Sequence, residues 1–332
     1  MSQPFRRGFA RSVFAALGCI ALAAGALWTP AAGAAFPEKP IRIVIGFPPG
    51  GAIDIVARLI APKMAETLKQ PVVVENRPGA NGALAAQELL RAGADGYTLL
   101  MGTAGSILIN PLLNPALGYD AERDFTPIAQ TASLPFLFLA RTQLPVQSIA
   151  DLIRLVRSSP DKITYGSSGT GSLPHLAGEL FNMRAGVRMV HVPYKGSAQA
   201  IADLIGGQID VQIDTLSTAA SPLKSGRIKA LGVTAASRSP ILPDLPAVAE
   251  SLEGYAVVNW HGAVVRKGTP PEIAQTLHRA LSEALAVPDI RKSLEEQGIT
   301  PMATTPAEFS KFMRSEAAQW RRVITDASIR TE

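Results

Sequence analysis

The sequence predicts an α/β protein built on a largely parallel sheet. Strand-like and helix-like runs alternate along most of the chain, the arrangement that βα units give. Two glycine-rich turns recur in the same strand, turn, helix context, FPPGGAID (Phe47 to Asp54) and SSGTGSLPHL (Ser167 to Leu176). Hydrophobic residues make up 47% of 332 residues, enough for a large packed core.

The elements follow in order. Ile41 to Ile45 reads as a strand, and Ile53, Val56, Ile60, Met64 and Leu68 recur at helical spacing after it, with a kink expected at Pro62. Pro71 to Glu75 is a second strand, Gly82 to Leu90 a helix, and Tyr97 to Met101 a third strand leading into Gly102 to Ser106. The run LPFLFLA around Pro135 to Ala140 is apolar without helical spacing and reads as a strand entering a new unit. There, Ser148 to Val156 is a helix with a Ser-x-x-Asp start, Ile163 to Gly166 a strand, and a helix runs through Phe181. Met189 to Val192 is a strand, Ser197 to Ile205 a helix stopped by Gly206-Gly207, and Ile209 to Ile213 a strand. SPILPDLPAV (Ser239 to Val248) reads as a surface loop near a boundary, and VVNWHGAVV as a crossing strand. Thr269 and Thr305 each precede a proline and have Glu three places on, so both read as N-caps.

The first 34 residues read as a cleavable export signal. Arg6, Arg7 and Arg11 precede an apolar run from Val13 to Trp28 and the small residues Ala31 to Ala35. That core is roughly 16 residues, short of the about 20 of a spanning helix. Either the general secretory or the twin-arginine route would export it, placing the mature chain in the periplasm. Cleavage removes Cys19, the chain's one cysteine, and with it disulfide and thiolate chemistry. It also leaves 29 basic against 27 acidic residues, a balance with no basic tract for nucleic acid.

The two turns narrow the chemistry. Ligands of open α/β sheets bind beyond the carboxyl ends of the strands, where a helix start offers free N–H groups and positive potential. Two such turns, one in each half, form jaws for an anion held by backbone donors, and a carboxylate suits them better than a nucleotide. Neither turn has the lysine of a phosphate-binding loop. Gly169 to Pro174 lacks the third glycine of a dinucleotide fingerprint, and Gly166 to Thr170 ends in Thr where a nucleophile elbow needs Gly. The four histidines show no metal spacing, and no cofactor is implied.

Single residues keep two readings each. Asp54 either complements the helix dipole or meets a ligand amino or hydroxyl group; His175 either donates to a ligand oxygen or fills the helix's first turn. Tyr194 and Lys195 follow a strand at the cleft mouth. Asp214 ends a strand, where an acid repels an anion unless it holds a polar or cationic group.

From Phe36 to about Ala327 the chain resembles the Bug family of extracytoplasmic solute-binding proteins, which serve tripartite tricarboxylate transporters. The resemblance rests on FPEKPIRIVIGFPPGGAIDIVAR, VVVENRPGANG, DGYTLLMG, YGSSGTGSLPHLAGELF, HVPYKGSAQAIADLIGGQIDVQID, SGRIKALGVT, LPDLPAVAE and KGTPPEIAQTLHRAL, in that order. Ala247 and Ser251 depart from the family pattern, both in or near the proline-rich loop. The resemblance implies a type II periplasmic binding protein: two α/β domains joined by hinge strands around a central cleft, one of residues 36–138 plus 258–332 and one of 139–257. It implies a carboxylate held between Pro49, Gly50, Gly51, Ala52 and Asp54 and Ser168, Gly169, Thr170, Gly171, Ser172 and His175. Phe47, Thr103, Ser106, Asn110, Tyr194, Asp214 and Trp260 would form the cleft wall. The expected partner of this non-enzymatic monomer is a two-subunit inner-membrane permease. Delivery to a membrane sensor kinase is the alternative, and a secreted serine hydrolase using Ser168 the remaining one.

Overall fold

A computed structural model of the chain describes residues 36–194 and 196–329; the expected export signal and Lys195 lie outside them. From Lys39 onward the chain forms one unit. Its first elements are β1 (Ile41–Ile45), α1 (Ala52–Leu68), β2 (Val72–Asn76), α2 (Ala83–Arg91) and β3 (Thr98–Thr103). β1 pairs in parallel with β2 on one side and β3 on the other. Four of its five residues are buried, as a strand covered by helices on both faces requires. The exception is Arg42, whose guanidinium reaches Glu75 on β2 (2.8 and 2.9 Å) and Glu88 on α2. α1 runs through Pro62 as one helix.

The next strand differs from expectation in length. β4 (Phe125–Arg141) is 17 residues long and starts nine residues before the LPFLFLA run. It changes partners midway: Phe125 to Pro135 pair with β9 (Val258–Arg266), and Phe136 onward pairs with β7 (Val211–Thr215) and β8 (Ile228–Val233). Apart from short helical turns, the other elements are α3 (Ile149–Ser158), β5 (Thr164–Ser167), α4 (Leu173–Ala185), β6 (Val190–Pro193), α5 (Ser197–Gly206), α6 (Leu216–Lys224), α7 (Pro271–Ala286), α8 (Pro288–Glu296), β10 (Thr300–Pro301) and α9 (Pro306–Asp326). The order across the sheet is β2-β1-β3-β9-β4-β7-β5-β6, with β8 and β10 also on β4. The sheet is therefore mixed rather than largely parallel. β1, β2 and β3, and likewise β5, β6 and β7, form parallel sets, while every pairing of β4 and β9 is antiparallel.

The caps separate two similar sequences. Thr305 accepts from the Glu308 amide at 3.2 Å while Glu308 accepts from the Thr305 amide at 2.8 Å, a reciprocal capping box. Thr305→Ala should lower the unfolding free energy by about 1 kcal/mol in urea titration. At Thr269 the expected cap does not form. Pro270 takes the N-cap place, and the buried Thr269 hydroxyl donates to the Arg266 carbonyl at 2.8 Å. The Ser148 cap of α3 does form, with Oγ accepting from the Asp151 amide at 3.1 Å. The proline-rich passage is a loop, yet it is docked rather than merely superficial: Ala247 and Val248 are buried, and the Val233 amide bonds to Pro246.

Candidate functional site

One wall of the site is built where β1, the turn before α2, and β3 end together. A Cβ at Gly46 would fall 2.3 Å from Gly82 Cα, and one at Gly82, where φ is +87°, 2.7 Å from Ser106 Cβ and 3.2 Å from the Phe47 ring. Only glycine lets these three segments meet and seat Phe47. Gly50 has φ +89°, and Gly51 is the N-cap of α1 with no side-chain cap bond. The first amides of α1 thus point outward without an intrahelical partner, at the positive end of the helix.

Asp54 holds this turn together. Its carboxylate accepts from the Gly50 amide (2.9 Å), from Arg58 Nε (2.9 and 3.0 Å) and from Asn76 Nδ2 (2.9 Å), which also donates to the Phe47 carbonyl (3.0 Å). Burial pushes its pKa up, but Arg58, the Gly50 amide and Asn76 outweigh that and hold it below the usual range. Ser106 is likewise engaged within the wall: its Oγ accepts from the Thr103 amide at 2.9 Å, and its own amide donates to Thr103 Oγ1 at 3.2 Å.

The opposite wall is the turn between β5 and α4. Gly169 (φ +131°) and Gly171 (φ +75°) adopt conformations that favour glycine. The Gly169 amide donates to Ser167 Oγ (3.2 Å) and the Gly171 amide to His175 Nδ1 (3.0 Å), so neither glycine's N–H is left over for a guest. Ser172 caps α4 by accepting from the His175 amide, and the next residue but one, Pro174, has no N–H. The donors this leaves are the Ser168, Thr170 and Leu173 amides and the Ser168, Thr170 and Ser172 hydroxyls.

Behind the turn lies a pair of stacked rings that the sequence reading missed. His175 and His191 lie 3.8 Å apart at 10°, and His191 Nε2 is 2.7 Å from Ser167 Oγ. Burial lowers the His175 pKa to about 4, and burial together with His175 lowers that of His191 to about 3. Both are neutral at neutral pH. Since Nδ1 of His175 accepts from Gly171, its ring proton sits on Nε2, and the ring supports the turn rather than activating Ser168. Tyr194 packs against the same turn, its carbonyl 3.3 Å from the place of a Gly169 Cβ and its hydroxyl donating to Asp203 at 2.8 Å.

The two walls face one cleft of about 260 Å³. Of the expected residues it brings together Phe47, Thr103, Ser168, Ser172 and Asp214. Pro49, Gly50 and Gly51 are exposed outside its lining, while Asp54, Ser106 and His175 are buried behind it. Asn110 also stands behind, hydrogen-bonded to Asn81, which does line the cleft. Trp260 is not in the wall: it is fully buried, tilted edge-on to Phe309 at 5.4 Å, with Nε1 donating to Glu316 at 3.3 Å.

Residues not foreseen include Phe136 and Asn259 on β4 and β9, the two long strands that reach the cleft, and Thr215 and Thr218 at the start of α6. Their signal was positional: each follows or lies within a strand whose far end reaches the cleft.

Two sheet portions joined through β4 and β9, with a cleft at the strand ends, define the type II periplasmic binding protein fold. The profile described as "Tripartite tricarboxylate transporter family receptor" matches residues 56–329. The chain belongs to this family, whose members include the Bug proteins. It is 31% identical over 309 residues to protein BugT of Bordetella pertussis, covering 92% of this chain and 95% of that one. It is similar to R. palustris Rpa4515 with adipate (37% identity, 89% and 99% coverage, TM-score 0.73). It is also similar to MatC from Rhodopseudomonas palustris with bound malate (34% identity, 87% and 100% coverage, TM-score 0.70).

Proposed function

We propose that the protein is an exported, periplasmic solute-binding receptor that captures a small carboxylate-containing metabolite and delivers it to a two-subunit permease of the tripartite tricarboxylate type. The observation that carries this reading is the shared cleft, lined by Phe47 of one glycine-rich turn and by Ser168 and Ser172 of the other, with a helix starting at each. Similar chains hold adipate and malate, both small carboxylates, which favours the same ligand chemistry here. The carboxylate would lie on the Ser168 amide and the Ser168 and Ser172 hydroxyls and face Phe47 of the first turn across the cleft. Closure would be a hinge motion of a domain of residues 36–138 plus 258–332 against one of 139–257. The change of partners along β4 at Pro135 to Phe136 supports that division. No enzymatic step is part of this function.

A thermal-shift screen of the mature chain against small carboxylic acids tests it. A ligand of the folded state at about 100 times its Kd adds roughly 2.7 kcal/mol and raises Tm. The expected result is a hit that its own primary amide or methyl ester fails to reproduce. Equal shifts from the acid and its amide would remove carboxylate capture from the reading.

A further inference from the structure

The apolar side chain of Leu84 stands exposed on the outer side of the cleft's first wall. Among the described residues it is the large aliphatic side chain most open to solvent, at 49%. It lies in the first turn of α2, two residues after Gly82, the glycine set against the Phe47 ring. A Cβ at Gly79 would fall 2.5 Å from Leu84 Cδ1, so the loop after β2 runs directly against it. Asn76, Arg77, Pro78, Leu84, Glu88 and Arg91 line one hollow of about 350 Å³. Asn76 joins this hollow to the cleft, because the same side chain donates to the Phe47 carbonyl and to Asp54 of the first turn.

The charges around the hollow are layered. Arg77 is half exposed, and the carboxylates that pair with it, Glu75 and Glu88, are more buried and are bonded to Arg42 as well. Arg58, also half exposed, stands over the buried Asp54. Arg91, exposed in the last turn of α2, has no ion pair among the described residues. The outward face is therefore guanidinium around Leu84 and Pro78, with the acids behind it. Such a face fits a protein surface that offers an apolar side chain flanked by carboxylates. Pro78 and the loop against Leu84 are already ordered, so little freedom is lost on contact.

We propose that this hollow is where the permease docks, through a periplasmic segment that sets an apolar side chain beside Leu84 and presents carboxylates to Arg77 and Arg91. A partner seated there touches the outside of the wall on whose inside the ligand lies. This rests on the delivery to a permease proposed above and locates it on the chain.

Photo-crosslinking in cells of the bacterium that encodes the chain tests it. The crosslinker is introduced at one position at a time, as Leu84→p-benzoylphenylalanine and Pro78→p-benzoylphenylalanine in the hollow, and as Val190→p-benzoylphenylalanine on β6, at the opposite edge of the sheet. The expected result is a covalent product with a permease subunit, identified by mass spectrometry, from positions 78 and 84 and not from 190. Adding Arg91→Glu to the position-84 variant should cut that product by about tenfold or more, as losing one partner of an interfacial charge pair does. Should the position-84 variant fold poorly, position 78 carries the same comparison. A permease product from 190 but from neither 78 nor 84 would overturn this inference and leave delivery standing. A product with a second copy of the chain from 78 and 84 would overturn it by giving the hollow another occupant. A product with a sensor kinase, or none with the permease from any position, would count against delivery itself and against this inference with it.

Discussion

Unfolding free energy should fall steeply as pH drops from 6.5 towards 4. His175 and His261 are buried, and burial lowers the pKa of each to about 4 in the folded protein, against about 6.5 in an unfolded chain. Between those values the unfolded state binds protons that the folded state refuses, so stability declines with falling pH. Their stabilising contribution is complete above pH 6.5 and is lost by about pH 4, at roughly 1.4 kcal/mol per pH unit per histidine. Each then accounts for about 3 kcal/mol, against a total of about 5–15 for a typical protein. His191, lowered to about 3 by burial and by His175, steepens the same slope. Carboxylates held low, such as Asp54, are ionised in both states above about pH 5, which leaves the upper part of this window to histidine. Glu316, raised by burial despite the two indole donors of Trp260 and Trp320, works in the opposite sense, favouring the folded state at low pH and losing that contribution as pH rises.

Urea midpoints at pH 7.5, 6 and 5 measure this slope. His261 sits on β9 beside Thr103 with its Nδ1 buried and unpartnered among the described residues. His261→Leu should therefore reduce the slope by about one proton whatever it does to absolute stability. A flat profile between pH 7.5 and 5 would mean that these rings accept protons in the folded state, contrary to their burial.

Asp54→Ala should cost about 2–4 kcal/mol of unfolding free energy, since hydrogen bonds to a charged group contribute about 1.5–3 each and the partners here are left unpaired. The Gly50 amide and Asn76 Nδ2 would lose their acceptor, and Asn76 would then hold the Phe47 carbonyl alone. Ligand affinity should fall with stability, because the start of α1 is positioned by this carboxylate. Arg58→Ala separates the terms: its guanidinium is half exposed, and its loss should cost clearly less than that of Asp54. Urea titration and calorimetry on both variants read the outcome. Should the two variants be equally mild, the buried contacts to the turn would not be what shapes it.

Much of the local structure was legible because it depends on neighbours in sequence. β1 occupies Ile41–Ile45 as its β-branched run predicts, and Ser148 and Thr305 cap their helices through bonds spanning three residues. The Thr269 cap failed for an equally local reason, a second proline that takes over the helix start. The first half of β4 was missed because FTPIAQTASL carries no strong pattern of its own; it is a strand because β9 pairs with it.

For the site, residue order was enough to locate the two glycine-rich turns, their place between strand and helix, and the family to which the chain belongs. Backbone conformation at glycine and hydrophobic period are written in residue order, so they can be read from it. Tertiary structure alone decided which residues the cleft exposes. It committed Asp54, Ser106 and His175 to holding the turns, buried Trp260 against Phe309, stacked His175 on His191, and set Phe136 and Asn259 in the cleft lining. Those outcomes depend on contacts between segments far apart in the chain, where hydrogen bonds and packing are settled by register and burial rather than by spacing in sequence.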